Sequence, residues 1–113
     1  MTKHLVVYTR VMACPDQTRV RKLLAEWHVP YQEINCSNDP EALERIRAWN
    51  GHLGVPAVVV AEEGSVLPVT EPDPRPAGRS TRDANRGTLI TEPSEEGLRQ
   101  FLDQHGLFPG AQT

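Results

Sequence analysis

His4-Leu5-Val6-Val7-Tyr8-Thr9-Arg10-Val11-Met12-Ala13-Cys14-Pro15-Asp16-Gln17 is the stretch from which the rest of the chain can be read. Residues 4–9 form a compact apolar run, rich in β-branched and aromatic types and too short for a helix, which predicts a buried strand. From Cys14 to His28 the period changes. Val20, Leu23, Leu24 and Trp27 fall at helical spacing, with Arg19, Arg21, Lys22 and Glu26 elsewhere on the cylinder. Pro15 suits the first helical position, where its missing N–H costs nothing. Cys14 is thereby placed at a helix N-terminus. There, unpaired N–H groups and the helix dipole favour the thiolate, and can lower a cysteine pKa from about 8.5 to roughly 3.5–7.5. The competing use of such a residue is as a small buried hydrophobe. Pro15 favours the reactive thiol.

Working outward, Val29-Pro30 closes the helix, because the residue before proline is pushed out of the helical region. Residues 31–36 alternate, with Gln32, Ile34 and Cys36 on one face and Tyr31, Glu33 and Asn35 on the other, which predicts a second strand. Asn38-Asp39-Pro40-Glu41 combines a cap, a proline and an acid at a helix start. That helix runs through Leu43, Ile46 and Trp49 to a stop at Asn50-Gly51. Val55-Pro56-Ala57-Val58-Val59-Val60-Ala61 is a continuous apolar run with proline at its entry, as expected of a central strand covered on both faces.

Residues 62–87 carry Pro68, Pro72, Pro74 and Pro76 with few apolar anchors, and predict an extended, mobile excursion. Within it, Ser65-Val66-Leu67-Pro68-Val69-Thr70-Glu71-Pro72 echoes Thr88-Leu89-Ile90-Thr91-Glu92-Pro93. Either copy could supply a hairpin strand, but only the second precedes a good helix. That helix starts at Pro93-Ser94-Glu95-Glu96, turns Leu98, Phe101 and Leu102 inward and stops at Gly106. The order is βαβα, then ββα. It predicts an α/β fold with a four-stranded mixed sheet flanked by helices, one domain over residues 1–113 with a Pro-rich insertion at about 62–87.

Composition narrows the function. The net charge of −3 gives no long-range attraction to nucleic acid. Nothing approaches the roughly 20 apolar residues of a membrane span. Lys3 and His4 are followed by only four apolar residues before Thr9, so no secretory signal is visible and a cytoplasmic location is expected. Two cysteines do not make a disulfide scaffold, and in reducing conditions such thiols are reactive or buried. His4, His28, His52 and His105 lack ligand spacing, so no metal site is expected. A Cys-x₅-Arg phosphatase loop fails, because Arg19 stands one residue too early. Small molecules or other proteins are the expected partners of a monomer.

The element order, together with Tyr8-Thr9, Cys14-Pro15, Leu23-Leu24, Val29-Pro30-Tyr31 and Gly54-Val55-Pro56, resembles the glutaredoxin family of thioredoxin-fold proteins over residues 4–61 and 88–105. Within it, the run Gly87 to Ser94 is most similar to the mycoredoxin-type, short bacterial proteins. The resemblance implies a thioredoxin fold, Cys14 as the catalytic nucleophile, and Pro56 as a cis proline facing it. The backbone of Val55 would pair with a bound thiol substrate. Arg10 and Arg19 are the nearest matches to basic residues that favour the thiolate and hold glutathione carboxylates. Pro15 and Gln17 belong to the same motif, and Ser94 stands where relatives open the last helix on the substrate, although a plain N-cap also suits it.

Two departures shape the expected chemistry. Gln17 replaces the resolving cysteine of Cys-x-x-Cys members, so a monothiol cycle is implied, in which Cys14 reduces protein mixed disulfides with a low-molecular-weight thiol. Cys36 could act as a substitute resolving thiol, or could simply face the core. Asp16 stands where the family usually has an aromatic, and would oppose the thiolate. The Cys-Gly-Phe-Ser motif of cluster-binding relatives is absent, so no tightly bound cofactor is implied. Glutathione, mycothiol or bacillithiol could each serve as co-substrate. The alternative is a non-catalytic thioredoxin-fold module that binds a partner through its insertion.

Overall fold

The computed structural model describes residues 2–11, 14–75, 78 and 80–108. The first strand, β1, spans Lys3–Thr9 and is followed by helix α1 (Pro15–Glu26), strand β2 (Tyr31–Asn35) and helix α2 (Pro40–Asn50). Strand β3 (Ala57–Glu62), strand β4 (Leu89–Thr91) and helix α3 (Glu95–Gln104) complete the order. The sheet runs β2-β1-β3-β4, with β1 parallel to β2 and antiparallel to β3, and β3 antiparallel to β4. This mixed sheet with three helices is the thioredoxin fold.

Alternation in the strands produces two apolar layers. Leu5 and Val7 of β1, Val58 and Val60 of β3 and Ile90 of β4 meet Val20, Leu23 and Leu24 of α1 and Leu98, Phe101 and Leu102 of α3. The residues between them, Val6, Tyr8, Val59, Ala61 and Leu89, face the opposite way and pack on Ala42 and Ile46 of α2. The central strands are therefore buried on both faces, as their unbroken apolar runs require. Two of the three helices begin on side-chain caps: at α2 Asp39 accepts from the Ala42 N–H at 3.2 Å, and at α3 Ser94 accepts from the Gly97 N–H at 3.0 Å. The left-handed Gly51 (φ 76°) ends α2, where a side chain would be strained.

Two expectations change. Cys36 was placed on the second strand by alternation, but β2 stops at Asn35. The Asn35 side chain accepts from the Ser37 N–H at 2.9 Å and starts a single 3₁₀ turn over Cys36–Asn38. The second concerns residues 62–87, which in their described part are fastened rather than loose. Val69 N–H donates to Val60 at 2.9 Å, Tyr8 Oη donates to the Val66 carbonyl, and Asp73 N–H donates to Arg86 at 2.9 Å. Isolated bridges join Ala61 to Pro68, Arg82 to Thr91 and Asn85 to Ile90. Of the two echoing copies, the first contributes only the bridge at Pro68, and the second forms β4. Apolar anchors are scarce in this segment; backbone pairing and buried Arg86 replace them.

Candidate active site

The end of β1 and the start of α1 bring the first two site elements together. Cys14 is the N-cap of α1, in extended conformation (φ −143°, ψ 117°), with Pro15 opening the helix; the Thr18 N–H donates to the Cys14 carbonyl at 3.1 Å. Met12 and Ala13, in the loop between β1 and Cys14, lie outside the described residues. The thiol is partly exposed, and its Sγ lies 4.0 Å from the carbonyl oxygen of Val55. The Val55–Pro56 peptide bond is cis. Pro56 in turn accepts from the Glu92 N–H at 2.8 Å, which couples this turn to the entry of α3.

Gln17 holds the chain that leads into the cysteine loop. Its side chain is buried (2 % exposed), donates from Nε2 to the Arg10 carbonyl at 3.0 Å and accepts from the Arg10 N–H at 2.7 Å. Both backbone groups of Arg10 are thus held by one amide, which fixes the chain just before the cysteine loop. Arg10 keeps its side chain half-exposed, and among the described residues no carboxylate is ion-paired with it.

Asp16, the residue expected to oppose the thiolate, is matched by two guanidinium groups. Arg82 of the insertion makes a bidentate pair with it, Nη1 to Oδ2 at 2.7 Å and Nη2 to Oδ1 at 2.9 Å, and Arg19 binds Oδ1 as well. The hydrogen bonds from Arg82, and then the charges of Arg82 and Arg19, hold the Asp16 carboxyl below the usual value although burial works the other way. Arg82 also reaches Glu92 at 2.9 Å. Arg21 is turned away to Glu33, at 2.6 Å and 3.0 Å, and takes no part.

The remaining sequence candidates fall elsewhere. Ser94 caps α3, and it also donates from its backbone N–H and its Oγ to Asp83, at 2.8 Å and 2.9 Å. Cys36 is buried (1 % exposed) among Tyr8, Ala42 and Ile46. Burial first, and then Asp39, push its thiol pKa up. Both cysteines are free thiols. A cleft of about 640 Å³ opens beside Cys14, walled by Pro15, Thr18, Arg19 and Leu23 of α1 and by Glu95 of α3.

A family model described as Glutaredoxin matches residues 5–64, which carry β1 through β3 and therefore both Cys14 and the cis proline opposite it. The chain belongs to the glutaredoxin family. Comparison with curated proteins and with solved structures returned no match. Membership supports a thiol-disulfide oxidoreductase-like function. No helix among the described residues is long and apolar enough to cross a membrane.

Set against that glutaredoxin frame, Arg82, Asp83 and Glu92 are the site residues that sequence reading passes over. Arg82 meets Asp16 from 66 positions away, so no local pattern announces it. Gln17 did carry a signal: it is the third residue of α1, the position from which a glutamine side chain reaches back to the chain entering a helix.

Proposed function

We propose that this glutaredoxin is a monothiol enzyme in which the Cys14 thiolate exchanges with mixed disulfides formed between proteins and a low-molecular-weight thiol. The observation that carries the reading is the apposition of Cys14 Sγ and the Val55 carbonyl, 4.0 Å apart across the cis Val55–Pro56 bond, at the mouth of an open cleft. Two further features support it. Cys14 is the N-cap of α1, and its thiol is partly exposed beside the first turn of that helix. In addition, the residue at the resolving position, Gln17, is committed to the Arg10 backbone, and the second thiol is buried with its pKa raised.

In the cycle, Cys14 Sγ⁻ attacks the small-thiol sulfur of the mixed disulfide. The Sγ–S bond to the small thiol forms as the S–S bond between the small thiol and the substrate protein's sulfur breaks, and the departing protein thiolate takes a proton from water. A second small-thiol anion then attacks that sulfur. The products are the symmetrical small-thiol disulfide and the Cys14 thiolate, so no second protein thiol is needed. The Val55 backbone lies where an extended partner beside the reacting sulfur could pair with it, and Arg10 and Arg19 supply positive charge near the loop.

The test is to incubate the reduced chain and its Cys14→Ser and Cys36→Ser variants with oxidised small thiols and to measure adduct masses. A single adduct in the wild type and in Cys36→Ser, absent from Cys14→Ser, is the expected pattern. An adduct on Cys36 alone, or an intramolecular 14–36 bridge, would overturn the monothiol reading. Alkylation of Cys14 with an apparent pKa near or above about 8.5 would instead favour the partner-binding module.

A further inference from the structure

From Cys14 the cleft runs along α1 towards the start of α3. It continues there into a smaller one of about 390 Å³, lined by Arg19, Arg82, Asp83, Glu92, Ser94 and Glu95. Which ligand can lie along this path depends on which charges are still unmatched.

Each cationic side chain that lines the two clefts is already ion-paired, although among the described residues Arg19 Nε has no hydrogen-bond partner and Arg10, which lines neither cleft, is not ion-paired. Arg19 and Arg82 both bind Asp16, and Arg82 binds Glu92 as well. Lys22 faces Glu26 at 4.0 Å. The remaining source of positive potential is the N-terminus of α3, whose first N–H groups and dipole suit a carboxylate. The protein has placed one of its own there. Asp83 Oδ1 accepts from the Ser94 N–H at 2.8 Å, and Oδ2 accepts from Ser94 Oγ at 2.9 Å. A methyl group added at Gly97 would come within 2.1 Å of Asp83 Oδ1, so the carboxylate lies directly on the first turn.

Asp83 is held in place by more than this contact. Its N–H donates to the Thr91 carbonyl at 2.7 Å, and its neighbour Arg82 bridges to Thr91. Its own backbone is left-handed (φ 58°), a conformation that aspartate adopts more readily than most residues. Residues 82 and 83 thus form a short strap, stitched to the end of β4, that lays Arg82 on Asp16 and Asp83 on α3. Glu95, which faces both clefts, has no ion-pair partner among the described residues.

We propose that Asp83 is a specificity-determining residue of the thiol site. Its carboxylate fills the anion-accepting end of the groove, so the preferred co-substrate is a small thiol whose remote end is uncharged or cationic. Thiols that carry a carboxylate at that end react poorly. The inference rests on Cys14 being the nucleophile.

The experiment uses the reduced full-length chain and three symmetrical disulfides: oxidised glutathione (acidic), hydroxyethyl disulfide (neutral) and cystamine (cationic). The rate of adduct formation on Cys14 is followed by mass, each rate being divided by that of the same disulfide with free cysteine. The wild type should react with oxidised glutathione about tenfold more slowly than with hydroxyethyl disulfide. Asp83→Ala should close most of that gap, and Asp83→Asn, which keeps an acceptor but loses the charge, should close part of it. Raising the salt concentration should speed the acidic disulfide and slow cystamine. This last measurement needs no variant but reads the summed charge of the groove, the thiolate and Glu95 included. The assignment to Asp83 is decided by Asp83→Asn, which keeps the size of the side chain and suits the left-handed backbone if Asp83→Ala is unfolded. Equal normalised rates in the wild type, a gap unchanged in a folded Asp83→Ala or in Asp83→Asn, or salt effects of one sign would each overturn the proposal. No adduct on Cys14 with any of the three would remove the nucleophile reading and the specificity with it.

Discussion

The layers on either side of the sheet and the segment between β3 and β4 are held by opposite physics. Around β1 and β3 the contacts are between fully buried aliphatic side chains, Leu5, Val7, Leu24, Val58 and Leu98 among them, with no polar partner to satisfy. In the insertion, beside backbone pairing and the packing of Val66 and Val69 on the two layers, the fixed points are guanidinium groups. Arg86, only 7 % exposed, donates to the carbonyls of Asp73 at 2.7 Å and Trp49 at 2.8 Å. Burial and then the charge of Arg75 lower its pKa from the ordinary arginine value, which indicates the desolvation those hydrogen bonds offset. The apolar layers draw on many interchangeable contacts and the insertion on a few that have no substitute. The glutaredoxin fold is thus carried by one kind of contact, and the edge of the active-site groove by the other.

The sharpest way to break this comparison is to truncate one member of each region. Leu24→Ala removes a fully buried side chain between α1 and the sheet and should cost about 2–5 kcal/mol of global stability. Arg86→Met keeps the stem but strips donors from Trp49, Asp73 and Asn50, at a cost of about 1–3 kcal/mol. Urea unfolding measures both. If the insertion were as loosely attached as its composition suggests, Arg86→Met would be neutral. Hydrogen exchange should distinguish the two further, with Leu24→Ala raising exchange throughout the sheet and Arg86→Met raising it first at 66–75 and 80–88.

The same contrast explains what could be read from the chain before folding. The strands and helices from β1 to β3 were legible because each is specified locally, by a change of period from two to 3.6 and by punctuation such as the Asp39 cap and Gly51. Cys14, Val55 and Pro56 were legible with them, since they sit at the junctions of those elements. Cys36 was misplaced because alternation cannot see one side chain, that of Asn35, turning the backbone into a 3₁₀ helix. The order in the insertion was invisible for a more general reason. A proline-rich segment with few apolar anchors reads as loose unless its arginines are known to meet Trp49, Asn50 and Asp16, and nothing local in the sequence records those meetings. Asp16 itself was read as an isolated opposing charge on the same account.

A smaller effect is expected where the two regimes meet, at Gln17. Its amide is buried beside the apolar layer yet makes two hydrogen bonds to the Arg10 backbone. Gln17→Ala leaves both of those groups without their partner and should cost about 1–2 kcal/mol. It should also slow Cys14 alkylation or change its pH profile, because the loop that presents the thiol begins at Arg10. Gln17→Leu fills the volume without the hydrogen bonds. If it restores stability and leaves the profile altered, Gln17 acts as a positioning residue; if it restores both, the position is only a packing site.

The smallest effect, and the one that most directly tests the charged edge of the groove, is the pH dependence contributed by Asp16. Its carboxyl has a lower pKa in the folded chain than in the unfolded one. The folded state therefore releases its proton more readily, and the stabilisation is present above the unfolded carboxylate value of about 3.9 and disappears as the pH falls through the folded value. Glu33, held down first by its hydrogen bonds from Arg21, contributes in the same direction over the same acid range. Stability should fall as the pH drops below about 5, and Asp16→Asn should flatten part of that slope while leaving stability near pH 7 lower than in the wild type. Arg82→Ala should flatten it too, since Arg82 supplies the leading cause of the shift. Arg82 is half-exposed, so its loss at neutral pH should have only a small effect on stability. If Asp16→Asn and Arg82→Ala leave the acid slope unchanged while Glu33→Gln removes it, the Arg82–Asp16 pair does not hold the strap, and Asp83 is kept on α3 by its N–H bond to Thr91 and by the bonds it accepts from Ser94.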